Sequence, residues 1–246
     1  VDIEMNYNSI CCYDYETGSP DSSTCSIIQI AAEMIHGRNL NVVDKFSAYV
    51  RPDFDDEEST TEETIDWHCR NKGVSKKKFV DMLNECPPID IVWKNFSSWV
   101  DKYNWGKTNK SGYHAPVSAG YNILGFDNPI TNRHCKMFGP TEKDRRSGEE
   151  RPRIFNQIYS FDLMQHVWYW FENNGELKNQ KLTTVLEYMG VPEEVTANAH
   201  DAEFDVEWTS KVIIKLLKTS RWMTGWNEQK QKRRLEFADA FAQEFK

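Results

Sequence analysis

Apolar and polar positions follow two rhythms along this chain, a strand-like one early and a helical one later. The first apolar run, 9–13, is short and stops at Asp14-Tyr15-Glu16-Thr17-Gly18-Ser19-Pro20, which predicts a buried strand followed by a turn. Runs at 25–35 and 42–50 also have strand length; His36-Gly37-Arg38-Asn39 separates them and Arg51-Pro52 closes the second. Three strands joined by short connections predict an antiparallel meander. Residues 53–63 read as an acidic, Ser/Thr-rich loop. Helical spacing then predicts helices at 76–84, 90–103, 161–173, 182–189, 200–217 and 226–245, with Pro87-Pro88 suited to a helix start. A further strand is expected at 116–121, a polar linker at 106–112 and a charged loop at 139–153. Strands first and helices interleaved later predict an α/β or α+β chain with a mixed sheet.

At 246 residues and 39% hydrophobic content, with 9 Trp, 10 Tyr and 13 Phe, the chain can bury a full core and is not intrinsically disordered. Its net charge of −8 argues against a protein that coats duplex nucleic acid by charge alone. Any such contact is expected at a local site, with metal cations offsetting the protein's own acids. The longest apolar run, 167–171, falls far short of the ~20 residues of a membrane span, so no membrane contact is expected. The acidic opening Val1-Asp2-Ile3-Glu4 lacks the pattern of a signal peptide. Cysteines 11, 12, 25, 69, 86 and 135 show no C-x-x-C pair and no zinc spacing, which suits free, mostly buried thiols in a cytosolic protein.

Three short motifs carry the candidate chemistry. Asp14-x-Glu16 lies at the end of an apolar strand, where residues two apart project from the same face. Other Asp-x-Glu pairs occur, at 2/4, 55/57, 201/203 and 205/207, but only this one has that support. Two close carboxylates repel unless a cation binds between them. In Gly120-Tyr121-Asn122-Ile123-Leu124-Gly125-Phe126-Asp127, a single acid interrupts an apolar run, with Asn122 offering an amide and Phe126 a ring. In His200-Asp201-Ala202-Glu203-Phe204-Asp205, a His at a helix entrance and an Asp just over one turn later can reach one site.

Taken in order, Asp-x-Glu-Thr-Gly, Asn-x-x-x-Phe-Asp and His-x-Ala-x-x-Asp resemble the DEDDh branch of the DnaQ-like 3′–5′ exonucleases, in the style of stand-alone phage or bacterial members. Ile28-Gln29-Ile30-Ala31-Ala32, Tyr49-Val50-Arg51-Pro52, Asp162-Leu163 and the stretch from Lys181 to Val191 agree with that pattern, so the resemblance covers 9–218. Tyr121-Asn122 with three residues before Phe126 is more like the exonuclease domain of family B polymerases, and His200 assigns the His branch. The long gap between Glu16 and Asp127 points to an insertion within 53–112.

The resemblance implies an α/β, RNase H-like fold: a mixed five-stranded sheet with helices on both faces. It implies one exonuclease domain over 1–220, with the insertion, and a C-terminal helical extension over 221–246. Asp14, Glu16, Asp127 and Asp205 would hold two divalent ions, Mg²⁺ or Mn²⁺, for which hard carboxylate oxygens are suited. His200 would be the general base, and Thr17, Gly18, Asn122 and Phe126 would contact substrate. The implied partner is nucleic acid at a single-stranded 3′ end, DNA ahead of RNA, with replication proteins as further partners and a cytoplasmic location (the host's, if phage-encoded). The alternatives are a 3′–5′ exoribonuclease with the same chemistry and a non-catalytic module binding nucleic acid or a polymerase. Of the cationic clusters, the one at Lys143, Arg145, Arg146, Arg151 and Arg153 is expected to guide the strand. The histidines at 36, 68, 114, 134 and 166 show no ligand spacing.

Overall fold

Strand β1 (Ile10–Thr17) is buried on both faces because its neighbours cover it on both sides. It pairs antiparallel with β2 (Ile27–Ile35), and β2 pairs antiparallel with β3 (Val42–Tyr49), so the expected meander opens the sheet. We describe residues 8–106, 110–144, 146–172, 175, 177–196 and 201–223 of a computed structural model.

After β3 the chain forms three helices, α1 (Glu62–Lys72), α2 (Lys76–Asn84) and α3 (Ile89–Asp101). Strand β4 (Val117–Gly120) then returns parallel to β1, and α4 (Asp127–Phe138) follows. A two-stranded hairpin, β5 (Thr141–Lys143) and β6 (Glu150–Pro152), precedes β7 (Ser160–Asp162), which lies parallel to β4. The chain continues through α5 (Leu163–Phe171), α6 (Leu182–Tyr188), the short α7 (Glu193–Thr196) and the long α8 (Ala202–Met223). The main sheet has the order β3-β2-β1-β4-β7, a mixed five-stranded sheet.

Each face of the sheet has its own core. Tyr13, Tyr15, Ile30 and Met34 on one face meet Trp93, Phe96 and Trp99 of α3 and Ile130 of α4. Cys12, Ala31 and Ile35 on the other meet Val167, Leu186 and, from α8, Ala202, Val206 and Ile213. The Ala202 side chain is fully buried, so the α8 entrance comes close to the strands that carry the acids. Residues 53–112 are part of this packing, since α3 supplies the largest rings of the first core.

Several elements depart from the expectations. Phe161 and Asp162, expected to begin the helix 161–173, instead belong to the edge strand β7, and the helix starts only at Leu163, with Asp162 as its cap. The region 62–72 is helical, capped by Thr61, whose hydroxyl accepts from the Thr64 amide, and ended by Gly73 in the left-handed conformation. Asp127 opens a 12-residue helix that the sequence reading did not place; Pro129 stands in its first turn, where a missing N–H costs nothing. Part of the charged loop 139–153 pairs as the β5–β6 hairpin. Helix α8 runs through residue 220 to Met223; the rest of the expected C-terminal extension, 224–246, and its helix at 226–245 lie outside the described residues. Among the described residues, no helix is long and apolar enough to cross a membrane.

Candidate active site

Asp14 and Glu16 project from the C-terminal half of β1 onto the face that α8 covers, as their two-residue spacing requires. Asp205 reaches them from the first turn of α8, where its amide closes a bond to the Asp201 carbonyl at 3.0 Å. One carboxylate oxygen from each of Asp14, Glu16 and Asp205 lies within 4.8 Å of the others, a grouping that can hold a metal ion. Asp127 is not in that group but adjoins it. It is the first residue of α4, is 2% exposed, and its Oδ1 accepts from the Tyr15 amide at 3.1 Å, between the two acids of β1.

Burial and repulsion between like charges dominate the electrostatics. Burial, then repulsion from Asp205 and Asp201, raises the Asp14 carboxyl well above the usual range. Burial, then Asp14 and Asp205, raises Glu16, with Lys72 pulling the other way. Burial and Asp14 raise Asp127, against the Tyr15 amide. A divalent cation would relieve all three, and an all-oxygen donor set suits a hard ion. The residues therefore fit a divalent metal.

Of the other expected site residues, Phe126 and Thr17 line a cavity of about 540 Å³ beside Glu16, together with Thr64, Trp67, His68 and Arg70 of α1. The Thr17 hydroxyl donates to the Ser19 carbonyl at 2.9 Å. A Cβ at Gly18 would lie 2.7 Å from the Ser59 carbonyl oxygen, so its small size lets the 56–61 loop pack against it. Asn122 holds a left-handed turn (φ 61°), its amide donating to Asp162 Oδ1 at 2.9 Å and its carbonyl accepting from Gly125 and Phe126. Asn tolerates that conformation better than most residues. Tyr121 donates its hydroxyl to the Gln180 carbonyl, and burial pushes its phenol up. His200 lies outside the described residues.

The basic cluster of the hairpin stands apart from the acids. The twelve residues of α4, ~18 Å of helix, lead from Asp127 towards it. There Arg151 bridges Glu142 (2.9 Å) and Asp144 (2.6 Å), and Arg153 meets Asp101 at 3.4 Å.

Three site neighbours escaped the sequence reading. His68, 1% exposed, directs Nδ1 to within 3.8 Å of Glu16 Oε2, and its Nε2–H donates to the Thr17 carbonyl at 2.9 Å. Ile65, His68 and Cys69 form the buried stripe of α1, so finding His68 required recognising that helix. Gln29 is the cross-strand partner of Glu16 and is 1% exposed; its amide atoms have no hydrogen-bond partner among the described residues. Lys72, at the end of α1, binds Asp201.

No protein-family model and no curated protein matches the chain. Solved structures do. A 3′-exonuclease described by its 3′-end-specific recognition of histone mRNA stem-loop superposes with a TM-score of 0.55 at 16% identity, covering 88% of this chain and 84% of that one. Escherichia coli exonuclease I in complex with a dT13 oligonucleotide gives a TM-score of 0.59 at 18% identity, over 87% of this chain and 42% of that one. The zinc-bound form of the same exonuclease with single-stranded DNA gives 0.59 at 18%, over 86% and 41%. This chain thus spans about two fifths of exonuclease I. The strand order, the helices on both faces and these superpositions agree: the chain has the RNase H-like fold that 3′-exonucleases such as exonuclease I also adopt.

Proposed function

We propose that this protein is a metal-dependent 3′–5′ exonuclease of the DEDDh type, acting on single-stranded DNA and releasing nucleoside 5′-monophosphates. The observation that carries the reading is the convergence of Asp14, Glu16 and Asp205 at one point of an RNase H-like sheet, with Asp127 beside them. That 3′-exonucleases share the fold, and that one of them binds zinc with single-stranded DNA, supports it. The histone mRNA stem-loop that another neighbour recognises keeps RNA as the second reading.

Asp14, Glu16, Asp127 and Asp205 would hold two divalent ions, Mg²⁺ or Mn²⁺, which supply Lewis-acid charge to an in-line displacement at phosphorus. The chain's own residues do the rest. The cavity beside Glu16 receives the terminal nucleotide, Phe126 stacks on it and the Thr17 backbone borders it. His200, next in sequence to the α8 entrance, takes the proton of the attacking water, a role worth about 10²–10⁴-fold. Gly18 at the end of β1 and Asn122 in the turn before Phe126 complete the substrate contacts. Residues 1–220 form the nuclease domain, with 221–246 as an appended segment, and the protein works in the cytoplasm alongside replication proteins.

The test is degradation of end-labelled single- and double-stranded DNA and RNA with Mg²⁺ and with EDTA. Loss of label as mononucleotide, fastest on single-stranded DNA and absent in EDTA, is expected. RNA degraded in preference would move the substrate to the second reading, and binding without cleavage of any substrate would make the protein a non-catalytic module.

A further inference from the structure

Beside the four acids stands a fifth, Asp201, whose charge adds to the repulsion on Asp14 and Glu16. It is costly there unless it does something the others do not. Its two carboxylate oxygens are divided between two tasks. Oδ1 accepts from the Glu203 amide at 3.1 Å, the bond of an N-cap at the start of α8. Oδ2 binds Lys72 Nζ at 2.6 Å. The Lys72 ammonium also sits 5.8 Å from the centre of the Tyr49 ring, which fixes the side chain from the β3 side. Lys72 itself belongs to the last turn of α1, the helix that presents His68 to Glu16.

The pair therefore joins the two elements that bring acids and their neighbours to the end of β1. Asp201 is linked onward, its carbonyl accepting the Asp205 amide at 3.0 Å. Helix α8 has a separate anchor on β3, where the Ser47 hydroxyl donates to Glu203 at 2.5 Å, so loss of Lys72 leaves the helix docked and frees only the attitude of its cap. A charged pair with one partner half-buried is worth more than an exposed one and has a defined direction.

We propose that Lys72 is a positioning residue: by gripping the cap carboxylate of Asp201 it sets the first turn of α8 and so places Asp205 against Asp14 and Glu16. The inference rests on the exonuclease reading for its kinetic consequence and on the geometry alone for its structural one. In this role Lys72 acts through Asp201 and not on the substrate. Methionine keeps its bulk without the charge, and arginine keeps the charge. Asparagine at 201 keeps the cap oxygen and gives up the ion pair.

The experiment uses the full chain with two readouts. Hydrogen exchange of the 203–205 amides, measured without metal, reports the first turn of α8 directly. Steady-state kinetics on a single-stranded DNA oligonucleotide with saturating Mg²⁺ reports the consequence. In Lys72→Met, exchange at 203–205 should speed up severalfold, and kcat should fall about 10–100-fold, the range typical for residues that orient a ligand. KM and Tm should stay near the wild-type values. Lys72→Arg should restore most of kcat, Asp201→Asn should reproduce the loss, and the double variant should be no worse than the poorer single one, because both remove one interaction. Unchanged exchange at 203–205 in Lys72→Met overturns the proposal. So does a rise in KM with a weakened salt dependence and intact kcat, which would make Lys72 a phosphate contact. Should the wild-type chain cleave no nucleic acid, the exonuclease reading fails, and the exchange measurement still decides the tie between Lys72 and α8.

Discussion

The backbone amide of Tyr15 donates to the Oδ1 of Asp127 at 3.1 Å, so the strand that bears two of the acids itself seats a third. Tyr15 lies between Asp14 and Glu16, and Asp127 begins α4 from the opposite side of the sheet. The Asp127 carboxylate is thus held by the backbone of the strand that bears Asp14 and Glu16.

This separates two variants that both remove the charge. Asp127→Asn keeps an oxygen for the Tyr15 amide, and Asp127→Ala strands that buried N–H. Cleavage should vanish in both. Metal-free stability should hold or rise in Asp127→Asn, since repulsion with Asp14 is relieved, and should drop by about 1–3 kcal/mol in Asp127→Ala. Urea denaturation of the two proteins in EDTA makes the comparison.

The raised carboxyls have a consequence for pH. A carboxyl whose folded affinity for protons exceeds its unfolded one binds more protons in the native state, so stability falls as pH rises. For Asp14, Glu16 and Asp127 the loss begins near the ordinary carboxylate range, about pH 4, and continues through their raised folded values. Each tenfold change in proton affinity is worth about 1.4 kcal/mol. In EDTA, Asp14→Asn should therefore gain Tm over wild type at pH 8 and lose that advantage towards pH 4, and Mg²⁺ should raise the wild-type Tm most at high pH. A gap between the two proteins that ignores pH would mean the acids are not coupled as described.

Gly18 makes a prediction that distinguishes packing from substrate contact. An added methyl would meet the Ser59 carbonyl oxygen at 2.7 Å and the Thr60 hydroxyl at 2.9 Å. Gly18→Ala should lower stability by about 1–3 kcal/mol, as overpacking usually does, and any fall in rate at low temperature should be smaller than in Asp14→Ala. Thermal melts beside rates at 15 °C would show this.

The sheet and the acids were legible because each depends on short-range pattern. Buried runs at 9–13, 25–35 and 42–50 predicted the three-stranded meander, and Asp14 and Glu16 shared a face by strand geometry alone. What stayed hidden depends on contacts distant in sequence. His68 lies 52 residues from Glu16 in the chain and meets it only because α1 folds back over the end of β1. Helix α1 itself was obscured by the acidic, Ser/Thr-rich composition before it, although Thr61 and Gly73 mark both its ends. Two cations of the hairpin, Arg151 and Arg153, pair with Glu142, Asp144 and Asp101, partners that no local pattern announces.

As an exonuclease, the carboxylate cluster should remove nucleotides only from a free 3′ end. The most direct measurement compares a 3′-labelled single-stranded DNA with a covalently closed circle of the same sequence, in Mg²⁺, using wild type, Asp205→Ala and Asp201→Ala. Label should leave first as mononucleotide, the circle should survive, EDTA should stop the reaction, and Asp205→Ala should be inactive where Asp201→Ala retains a measurable rate. A circle cut as fast as the linear strand, or robust release of label in EDTA, would contradict the exonuclease reading.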